Sequence, residues 1–480
     1  MSFSLQTIDV RGAKDVNASM RRWQRQLQAS IAAGGTSAAG PAAPEGERPA
    51  QPETPSVERI VRDILARVRS EGDTALIELT TRFDGPLSSG GASVSRHGAP
   101  SLRVAEAELE AAYNARDRAL FGVLESAERN IRAYQQHIKV RAPAPLELGG
   151  RRCGVRYTPI DRVGLYVPGG RAFYPSSLLM TAIPAQEAGV RELVLTSPAS
   201  GGRLHKTLMA LAWHLGIREV YRVGGAQAVG ALAFGTDAIA PVDMVVGPGN
   251  AFVAEAKRQV LGVVGIDAIA GPSEVLIIAD GSADPEHVAL DLMSQAEHDP
   301  GSAVLVSPDA TLLDNVNAAL GRWLEPGSGE TSHRSELTRR DAVAQCLKRF
   351  GVAIHVQDLQ QACACANALA PEHLQLMTAD NPACLDQIRH AGALFVGAHT
   401  PVALGDYWAG PSHVLPTAGT ARFFSPLSVN TFLKATSLIE YSAEALAQDG
   451  ASIATFAEHE GLTAHALSVD LRIRGKTRGR

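Results

Sequence analysis

The sequence predicts an α/β fold built on two doubly wound parallel sheets, and three observations carry that prediction. From about residue 155, short apolar runs alternate with amphipathic stretches, the pattern of repeated strand-to-helix units. Glycine-bearing turns close several of these runs: Pro168-Gly169-Gly170, Gly224-Gly225-Ala226-Gln227 and Gly247-Pro248-Gly249-Asn250. The alternation resumes beyond residue 270, after a tight turn at Ala270-Gly271-Pro272-Ser273-Glu274.

Taken in order, residues 1–27 read as an ordered N-terminal arm. Residues 28–56 are rich in Ala, Gly, Pro and Glu, show no apolar period and read as a disordered linker, because they cannot bury enough surface to fold. Val57, Ile60, Val61, Ile64, Leu65 and Val68 then recur at helical spacing, with Gly72 placed to cap the helix. A second helical region spans about Ala105 to His137, and together the two should cover a later sheet. Strands are expected at Val163 to Val167, Glu192 to Thr196, Val220 to Val223 and Met244 to Val246, with helices starting near Ser176, Gly202, Ala226 and Ala251. In the second segment, Glu274 to Ala279 and Ala303 to Ser307 read as strands around a helix. That helix opens on Asp284-Pro285, an N-cap followed by proline at the first helical position, and stops at Pro300.

Composition excludes several classes. A hydrophobic content of 45% with 20% charged residues describes a globular chain long enough, at 480 residues, for two to four domains. A net charge of −5 argues against a dedicated nucleic-acid binder, and the basic end Arg472 to Arg480 reads as a solvated tail. There is no signal-type apolar segment at the N-terminus and no apolar run long enough to span a bilayer, so a cytoplasmic location is expected. Five cysteines without a CxxC pair suit neither a disulfide framework nor a cysteine zinc site. Cys153 is the one with a chemical alternative, a nucleophile activated by Arg151 and Arg152.

Four polar motifs interrupt the apolar pattern. Ser294-Gln295-Ala296-Glu297-His298-Asp299-Pro300 puts an amide and an imidazole on one face at the end of an apolar helix, which fits a ligand site, a metal site or an ordinary cap. Ala370-Pro371-Glu372-His373-Leu374 sets a carboxylate beside an imidazole, either an acid–base pair or a helix start that places Glu372 at the positive end of the dipole. Gly405-Asp406-Tyr407-Trp408-Ala409-Gly410-Pro411-Ser412-His413 has loop composition yet carries a carboxylate, two aromatics and a histidine. Glu458-His459-Glu460-Gly461-Leu462-Thr463-Ala464-His465 closes the series, and there His465 alone reads as a cap or surface residue. None of the glycine turns is a G-x-G-x-x-G fingerprint, so their own chemistry leaves nucleotide binding and plain turns both open. Tyr166 and Tyr174 flank the first turn, where a ring could stack on a base or pack.

From Val57 to Ser468 the ordered motifs GLYVPGG, GGAQAVGALAFGT, VVGPGNAFVAEAKR, AGPSEVLIIAD, SQAEHDP, APEHL, GDYWAGPSHVLPT and EGLTAHA resemble the histidinol dehydrogenase family. The resemblance implies two incomplete Rossmann-like, aldehyde-dehydrogenase-like domains with small N- and C-terminal extensions that interlock a homodimer. On that basis residues 57–162 and 270–420 would form the first domain, 163–269 the second, and 421–480 a swapped C-terminal extension.

It also implies the chemistry: oxidation of L-histidinol to L-histidine through L-histidinal, with two NAD molecules used in succession and one Zn²⁺ per subunit. The implied zinc ligands are Gln295, His298, Asp406 and His465, the last from the partner chain, with the zinc holding the substrate's amino and imidazole groups. His373 would be the general base and Glu372 the activator of the hydrating water, with no thiol required. Ser273, His413 and Glu460 match substrate-contacting positions alongside the ligands and Glu372, and Tyr166, Gln227 and Asn250 match dinucleotide-contacting positions. Two segments depart from the pattern, the 28–56 linker and the polar stretch 324–342.

Three other readings compete. A relative within the family that oxidises a sulfonated propanediol would want extra arginines rather than Glu460 and His413. A zinc hydrolase would not need the glycine turns, and a non-catalytic metal-binding scaffold would not need an intact acid–base pair.

Overall fold

The structure, a computed structural model, describes residues 3–13, 15–32, 56–86, 102–169, 174–298, 301–325 and 337–474. Most of the 28–56 linker, Gly170, Asp299, Pro300, much of the 324–342 stretch and the end of the basic tail lie outside the described residues.

Two parallel sheets organise the chain. The smaller has the order Glu219–Tyr221, Glu192–Thr196, Arg162–Tyr166, Met244–Val246, Gly265–Ile266, all parallel. Its strand order reverses between Arg162–Tyr166 and Met244–Val246, which opens a crevice at their C-terminal ends. The helices start at Pro175, Lys206, Gly225 and Ala251, close to the positions expected from the apolar period.

The larger sheet runs Gln6–Asp9, Gly351–His355, Gly301–Ser307, Ser273–Ala279, His373–Met377, Ala393–Val396, again all parallel. Helices Pro285–Ala296, Ala310–Leu324 and Arg340–Phe350 contribute to the core on one face. Helices Val16–Ala32 and Leu359–Leu369 contribute to the core on the other. The continuous apolar character of Val275 to Ala279 and Ala303 to Val306 follows from this double cover.

Three placements differ from the sequence expectation. The N-terminal arm is the edge of the larger sheet, because Gln6–Asp9 pairs in parallel with Val352 to His355 of the same chain. The helices at Val57–Glu71, Asp73–Asp84, Glu106–Asn114 and Arg118–Ile138, expected with the first domain, pack on the smaller sheet instead. The apolar period marks their buried faces but carries no information on which sheet receives them. The alternative of a helix start after Pro371 is also not realised: Leu359–Leu369 ends at Ala370 in the left-handed region, and Glu372 leads into strand His373–Met377.

The C-terminal part leaves the body. Leu433–Tyr441 pairs antiparallel with Arg151–Pro159, which pairs with Leu146–Leu148. Helices Ala443–His459 and Thr463–Arg474 follow as a hairpin. Large apolar side chains stand exposed there, including Ile439, Phe456, Leu467 and Leu471.

Candidate active site

The polar motifs of the larger sheet gather at the N-terminal edge of its strands. Ser273 begins one strand, His373 begins its neighbour, and Gly301 begins the third, with Ser273 opposite Gly301 and His373 opposite Val275. Helix Pro285–Ala296 is capped at its start by Asp284 and returns Gln295 to this same edge. Gly301 packs so closely under it that a Cβ there would fall 2.4 Å from the Gln295 carbonyl oxygen. His298 sits one turn further on, its amide donating to the Gln295 carbonyl at 3.2 Å.

Glu372 and His373 are both 5% exposed. The Glu274 amide donates to Glu372 Oε2 at 2.8 Å, and His373 Nδ1 lies 2.9 Å from the Glu274 carbonyl and 3.4 Å from Glu372 Oε2. A carbonyl can only accept, so Nδ1 carries the proton towards Glu274 and Nε2 is the ring nitrogen left for chemistry. Burial opposes charge on this ring, but Glu372 and Asp406 outweigh it and raise its pKa to about 9. The Glu274 carboxyl, absent from the sequence-derived site, is pushed up to about 8 by burial and by the Glu372 charge. The signal that could have found it is a lone carboxylate at the head of an otherwise apolar strand.

Asp406 lies in the short helix Ala403–Tyr407, and the loop after it is tied down by helix Arg118–Ile138. Asn130 donates to the Trp408 carbonyl at 3.1 Å, and the buried Gln135 donates to the Gly410 carbonyl at 3.2 Å. Gly410 has φ +110, and a Cβ there would meet Tyr134 Cβ at 2.6 Å, so only glycine closes this turn. His413 Nδ1 donates to the Asp406 carbonyl at 3.1 Å, leaving Nε2 3.3 Å from Ser177 Oγ. Burial lowers the pKa of His413, which keeps the ring neutral. Ser177 was not found from sequence, since one serine in a helix carries no pattern. Its contact joins the cluster to the first turn of helix Pro175–Ala188 on the smaller sheet.

The glycine turns of the smaller sheet lie at the C-terminal ends of its strands, facing the crevice. The Tyr166 hydroxyl accepts from the Gly225 amide at 3.1 Å, and burial raises its pKa to about 12. Gly247 has φ +118, and a Cβ there would fall 2.0 Å from the Tyr166 carbonyl oxygen. Gln227 is buried with its Nε2 unpartnered among the described residues. The Asn250 side chain caps helix Ala251–Val260, accepting from Phe252 and Val253 at 3.0 and 3.2 Å. Beneath the turn, the buried Lys257 pairs with Asp267 and donates to the Gly247 carbonyl at 3.0 Å. Lys257 was missed although its spacing from Val253 and Val260 sets a charge on the apolar face.

A single chain thus draws Glu372, His373, Asp406 and His413 into one electrostatic cluster, with Tyr407 linking Asp406 to Glu297 at the end of the Gln295 helix. His465 and Glu460 are exposed on the C-terminal hairpin. Among the described residues no three His, Cys, Asp or Glu side chains group as a metal site. The expected ligand set offers only His298 and Asp406 of those types from one chain, plus the amide of Gln295. That amide's Nε2 is buried and unpartnered, and amide ends are interchangeable by rotation, so a polar end waits for a ligand here. Cys153 lies in strand Arg151–Pro159, with Arg152 paired to Glu440 at 3.1 Å, remote from the acid–base pair in the fold.

The family model described as histidinol dehydrogenase matches residues 47–473. A histidinol dehydrogenase of Nitrosomonas europaea is 46% identical over 417 residues, covering 87% of this chain and 92% of that relative. One from Pseudomonas aeruginosa is 48% identical over 419 residues, covering 87% and 91%. The crystal structure of histidinol dehydrogenase from Elizabethkingia anophelis superposes with a TM-score of 0.83 at 30% identity, covering 99% of this chain and all of that one.

Proposed function

The chain belongs to the histidinol dehydrogenase family, and from that premise we infer that it oxidises L-histidinol to L-histidine through L-histidinal, the last step of histidine biosynthesis, with NAD as hydride acceptor. The observation that carries the reading is the buried Glu372–His373 pair, whose Nδ1–H is fixed on the Glu274 carbonyl so that Nε2 is the ring nitrogen that exchanges protons with the substrate.

The substrate reading assigns the imidazole and amino groups of histidinol to the edge formed by Ser273, Gln295, His298, Asp406 and His413. Gln295, His298 and Asp406 of one chain, with the partner subunit's His465, would hold a Zn²⁺, a mixed nitrogen and oxygen set that suits that ion. Bound there, the ion would fix the substrate's nitrogens and orient its hydroxymethyl carbon. The unpartnered Gln295 amide supports this assignment. Tyr166, Gln227 and the Gly247 to Asn250 turn would receive the dinucleotide at the crevice of the smaller sheet. Asn250 would contribute mainly by shaping the turn, since its side-chain oxygen is spent on the helix cap.

The raised pKa leaves the resting His373 ring protonated, so it acts as a base only after Nε2 has released its proton; it then removes the hydroxyl proton through Nε2 as hydride leaves the carbon. Glu372, with Oε2 held by the Glu274 amide, uses Oε1 to draw a proton from the water that adds to the aldehyde, while His373 Nε2 returns its proton to the carbonyl oxygen and is reset as a base. His373 acts again on the hydrate for the second hydride transfer. Burial of both side chains keeps bulk water from the reactive aldehyde stage.

The exposed Ile439, Phe456, Leu467 and Leu471 support a second copy covering the C-terminal hairpin, which would bring the partner subunit's His465 and the partner subunit's Glu460 to the site. A sulfonated substrate is not favoured, because the histidinol dehydrogenase match spans nearly the whole chain. Full oxidation of a known amount of L-histidinol, followed at the NADH absorbance, should yield two NADH per substrate; a yield of one would remove the hydration step.

A further inference from the structure

A cleft of about 770 Å³ lies beside the end of helix Leu359–Leu369, which lines it through Asn367, and cations dominate its wall: Arg21, Arg22 and Arg25 from helix Val16–Ala32, Arg389 and His390 from one turn, and Arg422 from another. The lone acid of that wall is Asp15, whose Oδ1 already accepts from the Ala18 amide at 2.9 Å as the helix cap. Arg21, Arg22, Arg25 and Arg389 form no ion pair among the described residues. In a chain of net charge −5, five guanidinium groups against one carboxylate is a strong local reversal of sign.

A basic helix face is ordinarily a solvated one, with side chains splayed into water. Here three separate segments aim their charges into one concavity, where low-dielectric walls focus the potential. The neighbours register the crowding. Burial and then the Arg422, Arg389 and Arg21 charges lower the pKa of His390, and burial with Arg21 lowers that of Arg422. Arg422 is anchored by the Asn367 carbonyl at 3.0 Å and by that of Ala368. Like charges held together in this way lose repulsion when an anion enters.

We propose that this cleft binds a polyphosphate group, carried as free pyrophosphate or on a nucleotide, at a site separate from the hydride-transfer centre. The volume falls in the range of small-ligand sites. Guanidinium forks match phosphate oxygens bidentately, and the excess positive charge calls for a ligand with several negative charges rather than a single carboxylate. The helix that carries three of these arginines also touches the chain just ahead of Glu372 and His373, where Gln24 donates to the Leu369 carbonyl at 2.5 Å.

Titration calorimetry of the full chain with inorganic pyrophosphate and, separately, with ATP tests the site, alongside the double variant Arg22→Gln/Arg389→Gln. Both positions are exposed and outside the catalytic cluster. Binding of pyrophosphate or ATP should weaken at least tenfold in the variant, with its melting temperature unchanged. Equal affinity for the two ligands assigns the phosphates alone, and tighter ATP binding assigns a nucleotide. No binding of either ligand, or binding that the variant leaves intact, would overturn the proposal.

Discussion

Replacing Lys257 by methionine keeps the length of the side chain and removes its charge, and the surroundings set the cost. The Lys257 and Asp267 side chains are 2% and 3% exposed. Together they grip both polar groups of one glycine: Lys257 Nζ donates to the Gly247 carbonyl at 3.0 Å, and the Gly247 amide donates to Asp267 Oδ2 at 2.7 Å. Methionine leaves the Asp267 carboxylate buried without its counter-ion, a loss of about 3–5 kcal/mol for a broken buried pair. For a domain of this size that corresponds to a fall of roughly 6–20 °C in thermal midpoint. Differential scanning calorimetry measures it. The Gly247 to Asn250 turn is also the proposed dinucleotide seat, so the KM for NAD should rise while the KM for histidinol changes little. Adding Asp267→Asn should recover part of the lost stability by removing the orphaned charge. A midpoint shift under about 2 °C, equivalent to less than 1 kcal/mol, would refute the reasoning, as would a double variant less stable than the single one.

His373→Ala should lower kcat by about 10²–10⁴, the usual contribution of a positioned general base, while zinc measured by atomic absorption stays bound; loss of metal would show that this histidine is a ligand. The His214–Glu128 contact, 2.7 Å between His214 Nε2 and Glu128 Oε2, gives a pH-dependent prediction. The Glu128 hydrogen bond raises the pKa of His214 above 6.5, so its stabilisation is full below that value and fades as pH rises through the raised one. Glu128 is lowered from 4.5 chiefly by His214, so its contribution is present above 4.5 and fades as pH falls through the depressed value. His214→Gln should therefore cost roughly 1 kcal/mol more near pH 5.5 than near pH 8.5; equal melting-temperature losses at the two would contradict the assignment.

Much of the fold was legible because both sheets are covered on two faces. Strands Glu192–Thr196 and Met244–Val246 fall where the apolar runs place them, and the Asp284-Pro285 pair caps the Gln295 helix. What stayed hidden depends on partners distant in the chain. The Gln6 to Asp9 segment is too short and too polar to announce itself, and it becomes a strand through Val352 to His355. The helices from Val57 to Ile138 show which side is buried but not against which sheet. The acid–base pair was visible as adjacent residues, whereas the Glu274 carbonyl that orients His373 is a backbone atom and has no sequence signature. The Ser177–His413 contact spans 236 positions and joins two unremarkable residue types.

The central claim is that each active centre joins the Glu372–His373 edge of one chain to the C-terminal hairpin of another. Mixing His373→Ala protein with His465→Ala protein, after dissociation and reassembly, tests it directly. Each variant alone should be inactive, and the mixture should recover about a quarter of native turnover, because half the random dimers are mixed and each mixed dimer holds one complete centre. A mixture as inactive as its components would contradict the shared site.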